Sequence, residues 1–526
     1  MASCRLAAAV VLVLIGGALA GAQPAPGARP AEGHLEKPDD PYVAVPPGAQ
    51  ATSPALRWAM DSFVSVQVNV NAAGQNIVGD AANEPSIAVD PTNPRRMAIG
   101  WRQFDTIASN FRQAGWGWTD DGGQTWHFPG RIVPGIFRSD PVLDSDSQGN
   151  FFYNSLGTDG GYQCYEHKSS DGGQTWGAGV YAQGGDKQWM IVDKTGGVGN
   201  SNHYSFWTAT YSICRPNHFT RSTDAGASYE ACTAIPGSPY WGTLDTGPDG
   251  ELFTVGTGFK VAKSLNARYA GQTPTWTSVN VSLGGGTVRS GMPPNPGGLM
   301  GQAWIAVDKS QNATRGNVYV LCSVPYAGGL LDVMFTRSTD GGQTWSTPVR
   351  VNDDPNPGSN YHWFGTMSVA PNGRIDAIWN DTRSNPGSVN SQVFHAYSED
   401  AGVTWSANVA LTPSFNPLVG WPNQNKIGDY YHMASDNAGA HLAYSATFNN
   451  EQDVYYLHIP RYNRGDMNCD GRVNFDDINP FVLALSDPAG YATALPNCAR
   501  RLGDIDNNGS VDFDDINPFV ALLSGP

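Results

Sequence analysis

The chain has 526 residues, a formal net charge of −16, only 15% charged residues, and an abundance of Gly (62) and Trp (16). So acidic a composition argues against a nucleic-acid partner, which would need a basic patch to neutralise phosphates. The length calls for more than one domain, and the composition suits an extracellular β protein.

At the N-terminus Arg5 precedes the apolar run LAAAVVLVLIGGALA, which ends in the small residues Ala20, Gly21 and Ala22. This is the arrangement of a signal peptide over residues 1–22, with the mature chain starting at Gln23. No later stretch approaches the ~20 apolar residues of a spanning helix, so no transmembrane anchor is expected. The protein reads as secreted, extracellular or cell-surface associated. Residues 23–55 are rich in Pro, Ala and Gly without periodicity, as in a disordered leader that buries no core.

Residues 56–463 carry two interleaved repeats. The first is an octet: TDDGGQTW (119–126), SSDGGQTW (169–176), STDGGQTW (338–345), SEDAGVTW (398–405) and a weaker STDAGASY (222–229). A catalytic motif is normally written once, so repetition marks repeated architecture. The chemistry is that of a tight turn: Asp accepts from backbone amides, Gly tolerates positive φ, and Trp fills an apolar gap. The aspartates Asp121, Asp171, Asp224, Asp340 and Asp400 are therefore structural candidates. Their spacings of 50, 53 and 60 residues within the two runs match four short strands each. The longer gap from Asp224 to Asp340 leaves room for a decayed copy at KSLNARYAGQTPTW.

The second repeat lies half a period away: EPSIAVDP, SDPVLDSD, KQWMIVDK, YWGTLDTG, QAWIAVDK, FGTMSVAP and YYHMASDN, each a β-prone run ending in a polar turn. Seven starts imply seven units. The last lacks an octet, and FVSVQVNV (63–70) could supply its outer strand, closing a ring and hiding the sheet edges.

The octets resemble the Asp box of sialidase-type β-propellers. That resemblance implies an all-β β-propeller in which the box joins the third and fourth strands of a blade, on the face away from the ligand. Seven blades are favoured over the six of sialidases, which remain the alternative.

Six cysteines follow the signal peptide. They permit 15 pairings, among which Cys214–Cys232 and Cys469–Cys498 are the near neighbours most easily bridged, leaving Cys164 and Cys322 as buried thiols.

From Gly465 the pattern changes. DMNCDGRVNFDD and DIDNNGSVDFDD place Asp466, Asn468, Asp470, Asn474 and Asp477, then Asp504, Asp506, Asn508, Asp512 and Asp515, at positions 1, 3, 5, 9 and 12 of two loops, with Gly471 and Gly509 at the turn. Oxygen donors so spaced suit a hard cation, so two Ca²⁺ sites are expected, and none in the propeller. The pair of loops resembles a type I dockerin, a small α-helical EF-hand-like module over residues 464–526. The resemblance implies a cohesin-like partner bound through a nearly two-fold surface, since FDDINPFV occurs in both halves. Pro480 and Pro518 suggest a helix that starts late, capped by Asn479 and Asn517, or one that kinks. From Gly465 on, three Arg face ten Asp, so the module should loosen without calcium.

A propeller gathers ligands at the channel mouth, where innermost strands begin and second strands end. Strand starts place Glu84, Asp140, Asp186, Trp189, Trp241, Trp304, His362, Trp363, Asp429 and Tyr430 there, and second strands add Trp101, Arg102, Asn380, Asp381 and Arg383. Carboxylates among aromatic rings suit a sugar. The same tryptophans recur at equivalent blade positions and equally suit blade packing. By the sialidase resemblance Tyr430 is the nucleophile candidate and Asp140 the acid, with Asp429 and Glu84 as further catalytic carboxyls. Arg102 and Arg383 supply two cations, and Trp241, Trp304, His362 and Trp363 the substrate contacts. The Phe/Tyr-Arg-Ile-Pro motif is missing ahead of Thr119 and no convincing position supplies a third arginine, so strict sialidase activity is not expected. The reading is a glycoside hydrolase acting on glycans and attached by its tail to a scaffold, the alternative a non-catalytic glycan- or protein-binding propeller.

Overall fold

Each of the seven runs marked by the second repeat forms the innermost strand of one antiparallel sheet. These strands are Ala81–Val89, Ser139–Ser145, Trp189–Val192, Leu244–Thr246, Trp304–Val307, His362–Val369 and His432–Asp436. The computed structural model describes residues 40–46, 50–60, 63–326, 329–461, 464–470, 472–495, 498, 500–506, 508 and 510–524, and shows a seven-bladed propeller followed by short helices. The proposed signal peptide, Gly471 and Gly509 lie outside the described residues. Blades 1 to 7 are numbered here in the order of those inner strands.

Blades 1, 2, 4, 5 and 6 have four strands. Blade 3 has three, with a single bridge between Phe219 and Thr233 in place of the fourth. Blade 7 takes its outer strands from the N-terminal end of the ring. Phe63–Gln67 pairs with Asp453–Pro460 in the register Ser65 to Leu457, and Arg57–Met60 lies outside it. This closure pairs the first strand to the last and leaves the ring without a seam.

The polar turn ending five of the seven inner strands is a side-chain device, used by Asp436 with the Ala438 N–H as well as by the four that follow. Asp90, Asp146, Asp193 and Asp308 each accept a hydrogen bond from the N–H two residues on, at Thr92, Gln148, Thr195 and Ser310. The octets lie between third and fourth strands. In all five the leading Ser or Thr hydroxyl donates to the Asp carboxylate and accepts from the Gly N–H four residues on, while the carboxylate accepts the N–H of the following Thr or Ser. Gly123 has φ +88°, and a Cβ there would lie 2.1 Å from the Tyr456 ring, so glycine is required twice over. In blade 4 Asn266 replaces the aspartate and still accepts from the Thr275 N–H at 2.7 Å, which identifies the decayed copy.

Part of the leader expected to be disordered is ordered. Thr52–Pro54 pairs with Gln75–Ile77, and the Asp40 carboxylate accepts from the Asn110 N–H at 2.8 Å while Tyr42 meets Phe111. Composition alone missed these few anchoring contacts.

The C-terminal segment holds helices α1 (Ile478–Ser486), α2 (Pro488–Ala494) and α3 (Ile516–Leu523). Turns Phe475–Asp477 and Phe513–Asp515 precede α1 and α3, capped by Asn474 and Asp512 and not by Asn479 and Asn517. Pro480 and Pro518 thus fall in the first helical turn, where the missing N–H would have had no partner, and no kink is needed. Phe481 stacks on Phe519 at 4.1 Å in the core, and Cys469–Cys498 ties the first loop to the connection after α2. Cys214–Cys232 is the other disulfide, and Cys164 and Cys322 are buried thiols, as the spacing suggested.

Candidate functional site

Four of the sequence-derived candidates meet at the channel mouth: Glu84, Arg102, Asp140 and Asp429. Two lysines join them. Lys187 Nζ lies 2.5 Å from Asp429 and 3.8 Å from Asp140, Lys426 Nζ lies 2.7 Å from Asp429 and 3.4 Å from Glu84, and Arg102 Nε lies 3.2 Å from Glu84. All six are buried. Lys187 stands six residues ahead of Asp193, as Glu84 does ahead of Asp90, so the repeat contained a signal for it. Lys426 lies in the connection between blades 6 and 7 and has no such register.

Backbone strain builds this cluster. Glu84, Asp140, Lys187, Trp241 and Phe364 occupy the same place in five blades and have φ between 47° and 59°. A left-handed non-glycine residue costs of order 1–3 kcal/mol and persists only where surrounding structure over-determines it. Here bulges at the strand starts accompany it, with register shifts beside Glu84, Asp140 and Phe364.

The mouth is roofed. A hairpin, Ser290–Met292 and Asn295–Leu299, interlocks with residues 425–428: Leu299 N–H donates to Asp429 at 2.7 Å, Asn295 Nδ2 to the Gly428 carbonyl at 2.8 Å, and Gly297 N–H to the Asn425 carbonyl at 2.8 Å. A Cβ on Gly298 would lie 2.6 Å from Asp429 Oδ1, so only glycine admits this approach. The cavity left beneath, lined by Lys187, Trp241, Lys426 and Asp429 among others, has about 30 Å³, room for about one water. Burial pushes the Glu84 carboxyl up to about 8, outweighing the pull of Arg102 and Lys426. Asp429, expected as a catalytic carboxyl, is paired twice, and the hydroxyl of Tyr430 donates to the Pro141 carbonyl at 2.8 Å. Burial raises the Tyr430 phenol well above its ordinary range, which disfavours the phenolate a nucleophile would need.

Trp241 and Asp186 line that same cavity, and other candidates lie elsewhere. Trp304 sits on the channel floor with Trp189 (5.1 Å) and His432 (5.9 Å). His362 and Arg383 lie between blades 5 and 6, and Trp363 packs on the other side of its strand, in the core shared with blade 7. His362 is fully buried, with Nδ1 3.2 Å from Asp332 and Nε2 3.0 Å from Asp354 and 3.4 Å from Asp381. Burial alone would lower its pKa, yet these carboxylates raise it to about 9, so it is an imidazolium locking two blades. Arg383 pairs with Asp381 at 2.8 Å, and Trp363 donates to Ser391. None of the three reaches the mouth: His362 and Trp363 precede the bulge beside Phe364, and Arg383 is held back by Asp353 and Asp381.

The open concavity is at the other end. Below the Trp189–Trp304–His432 floor the channel widens into a funnel of about 500 Å³ between the C-terminal halves of the inner strands. Its wall is apolar through Met190, Val192, Val307 and Met433, and its rim carries the pairs Lys194–Asp144 and Lys309–Asp245, each joining adjacent blades. This is the face on which the octet turns lie, since each blade alternates strand direction.

In the C-terminal loops the position-12 carboxylates are fixed by backbone amides. Asp477 accepts from Met467, Asn468 and Asn474, and Asp515 from Ile505, Asp506 and Asp512. Carboxylate oxygens of Asp504, Asp506 and Asp515 lie within 4.8 Å of one another, a donor set that fits one hard cation.

No family model and no curated protein matches the sequence. Among solved structures, the chain is similar to a protein of unknown function from Dyadobacter fermentans (14% identity, 75% of this chain and 98% of that one, TM-score 0.41). It is similar also to the NanB sialidase of Streptococcus pneumoniae (13%, 72% and 68%, TM-score 0.36) and to a fungal alcohol oxidase of the AA5 family (10%, 78% and 76%, TM-score 0.47). Similarity this distant transfers no residue role.

Proposed function

We propose that this chain is a secreted glycan-binding propeller held by its C-terminal module to a cohesin-like partner, and that it does not hydrolyse its ligand. One observation carries the reading: Glu84, Asp140 and Asp429 at the channel mouth are buried, paired to Lys or Arg and roofed by a hairpin. Glycosidic cleavage needs two carboxyls ~5 to 9.5 Å apart with a sugar between them, and a cavity for one water admits no sugar. What stays open is the funnel on the opposite face.

The tail supplies the attachment. Phe475, Ile478 and Val482 are 74%, 37% and 54% exposed, and their counterparts Phe513, Ile516 and Val520 are 78%, 37% and 54% exposed. Two matching apolar faces on so small a module are an unmet interface. Two Ca²⁺ ions, held by Asp466, Asn468, Asp470, Asn474 and Asp477 and by Asp504, Asp506, Asn508, Asp512 and Asp515, would neutralise the loop carboxylates and fix the helices that carry those faces.

Hydrolysis is the second reading, favoured by Glu84: a carboxyl raised to about 8 is a competent general acid if the hairpin lifts. The test is a screen of the full chain with fluorogenic glycosides, a sialoside included, beside a glycan array. Binding without turnover is expected. Turnover abolished by Asp429→Asn would establish the hydrolase, and a well-folded protein that binds no glycan would end the glycan reading.

A further inference from the structure

Beside the funnel, the propeller and the C-terminal module enclose a cleft of about 460 Å³ lined by Arg57, Arg95, Arg464, Arg500 and Arg501. Five arginines around one cleft are unexpected in a chain of net charge −16 with 31 Lys and Arg in all. Three aspartates, Asp121, Asp436 and Asp504, share the lining. Asp121 is engaged by its own turn, accepting from the Thr119 and Thr125 hydroxyls and the Gln124 N–H. Asp436 accepts from the Ala438 N–H and faces His441 at 3.2 Å and Arg501 at 3.6 Å, while Asp504 lies 3.9 Å from Arg464.

Arg57 and Arg500 have neutral partners. Arg57 donates to the Gln124 carbonyl at 3.3 Å, and Arg500 to the Ala484 and Val511 carbonyls at 2.7 and 2.8 Å. Among the described residues no carboxylate pairs with either. The cleft is therefore net positive and lined by guanidinium forks with no lysine, the geometry that suits a two-oxygen anion. Its wall is continuous with the funnel, because Pro94 and Asp436 line both.

We infer that this cleft binds the anionic group of a polysaccharide, a sulfate ester or a uronate carboxylate, whose chain runs on toward the funnel. The inference rests on the glycan-binding reading and assigns the ligand to the octet face, opposite the mouth. The module is then one wall of the binding site as well as an anchor, with Arg501, which also donates to His458 Nε2 at 2.5 Å, holding it against blade 7.

The test measures binding of dextran sulfate, polygalacturonate and neutral dextran to the calcium-loaded full chain by titration calorimetry, at 50 and 200 mM salt. At least one anionic polymer should bind, weaken with salt, and bind roughly tenfold more weakly to Arg57→Gln, which removes one charge-assisted contact from an exposed strand. The sulfate and uronate arms identify the anion. Arg95→Gln, with an unchanged melting temperature, provides a second variant should Arg57→Gln lose blade 7 pairing. Undiminished anionic binding by both variants, or binding of neutral dextran alone, overturns the inference and leaves the glycan reading standing. Binding of none of the three, alongside a blank glycan array, overturns both.

Discussion

Changing His362 to Gln should weaken the propeller most at acidic and neutral pH, and the loss should fade as the solution is made alkaline. His362 is buried between blades 5 and 6 against Asp332, Asp354 and Asp381, and its pKa is about 9 in the fold against 6.5 ordinarily. A raised value means the folded state holds the proton more tightly. The stabilisation is thus complete below about pH 6.5 and is lost as pH rises through 9. The difference corresponds to about 3 kcal/mol. Unfolding roughly 400 residues gains about 0.8 kcal/mol/K of entropy at the midpoint, so the proton is worth about 4 °C in Tm. Gln keeps a donor but loses the charge, leaving three buried carboxylates to Arg350, Arg383 and Asn352. At pH 6 the variant should melt at least 4 °C below the parent, and by pH 9.5 the gap should narrow sharply. A gap of the same size at both pH values would refute the imidazolium assignment.

Three further outcomes follow from the structure. Chelation by EDTA should melt the C-terminal helices and sensitise residues 464–526 to trypsin while the propeller survives, because the loop aspartates, Asp504, Asp506 and Asp515 among them, then repel at close range; an unchanged digestion pattern would contradict this. Replacing Cys469 and Cys498 by Ala, which opens a 29-residue separation, should lower the module's stability by about 3 kcal/mol in urea melts, and a loss below 1 kcal/mol would show that the helices hold without it. Asp340→Ala should lower Tm through the lost turn bonds to Ser338, Gln343 and Thr344 but leave glycan binding intact, and selective loss of binding would overturn its structural role.

The blade count was legible because one physical requirement recurs at fixed spacing. Each inner strand must end in a turn; Asp90, Asp146, Asp193, Asp308 and Asp436 answer it with the same Asx bond and blades 4 and 6 with backbone turns, so counting the seven strand-and-turn runs counted blades. Counting octets alone would have missed blade 4, where Asn266 accepts the bond, and blade 7, whose outer strand comes from Phe63–Gln67. The site was less legible for a different reason. Sequence placed Glu84, Arg102, Asp140 and Asp429 at one mouth, since inner strands share an origin. It could not reveal that Lys426 and the hairpin Ser290–Leu299 would arrive from long connections to neutralise and roof them, because those contacts obey no period. His362 and Trp363 were displaced for a related reason: the bulge after them reverses which side chains face the channel, and a two-residue offset sends them between blades.

On the proposed reading, the two faces of the ring exchange the roles that the octet resemblance assigns them. At the mouth, five left-handed residues store strain to bring acids and bases together, and the result is a closed electrostatic clasp with space for a water. Strain of this kind is usually stored at a functional site, but it can also serve closure. Leu299 and Asn295 tie the clasp to blade 7, so the network that looks catalytic in sequence joins blades 1, 2, 3 and 7 across the ring. A ring so fastened at one end can afford an open channel at the other. There the octet turns, the funnel and the arginine cleft lie together, and the C-terminal module meets blade 7 through Arg501, Asp436 and His458. The turns carry no chemistry themselves, yet Asp121, Gly122 and Gly123 of the first octet form part of the cleft wall. The repeat that builds the scaffold therefore also shapes the surface on which a ligand can rest.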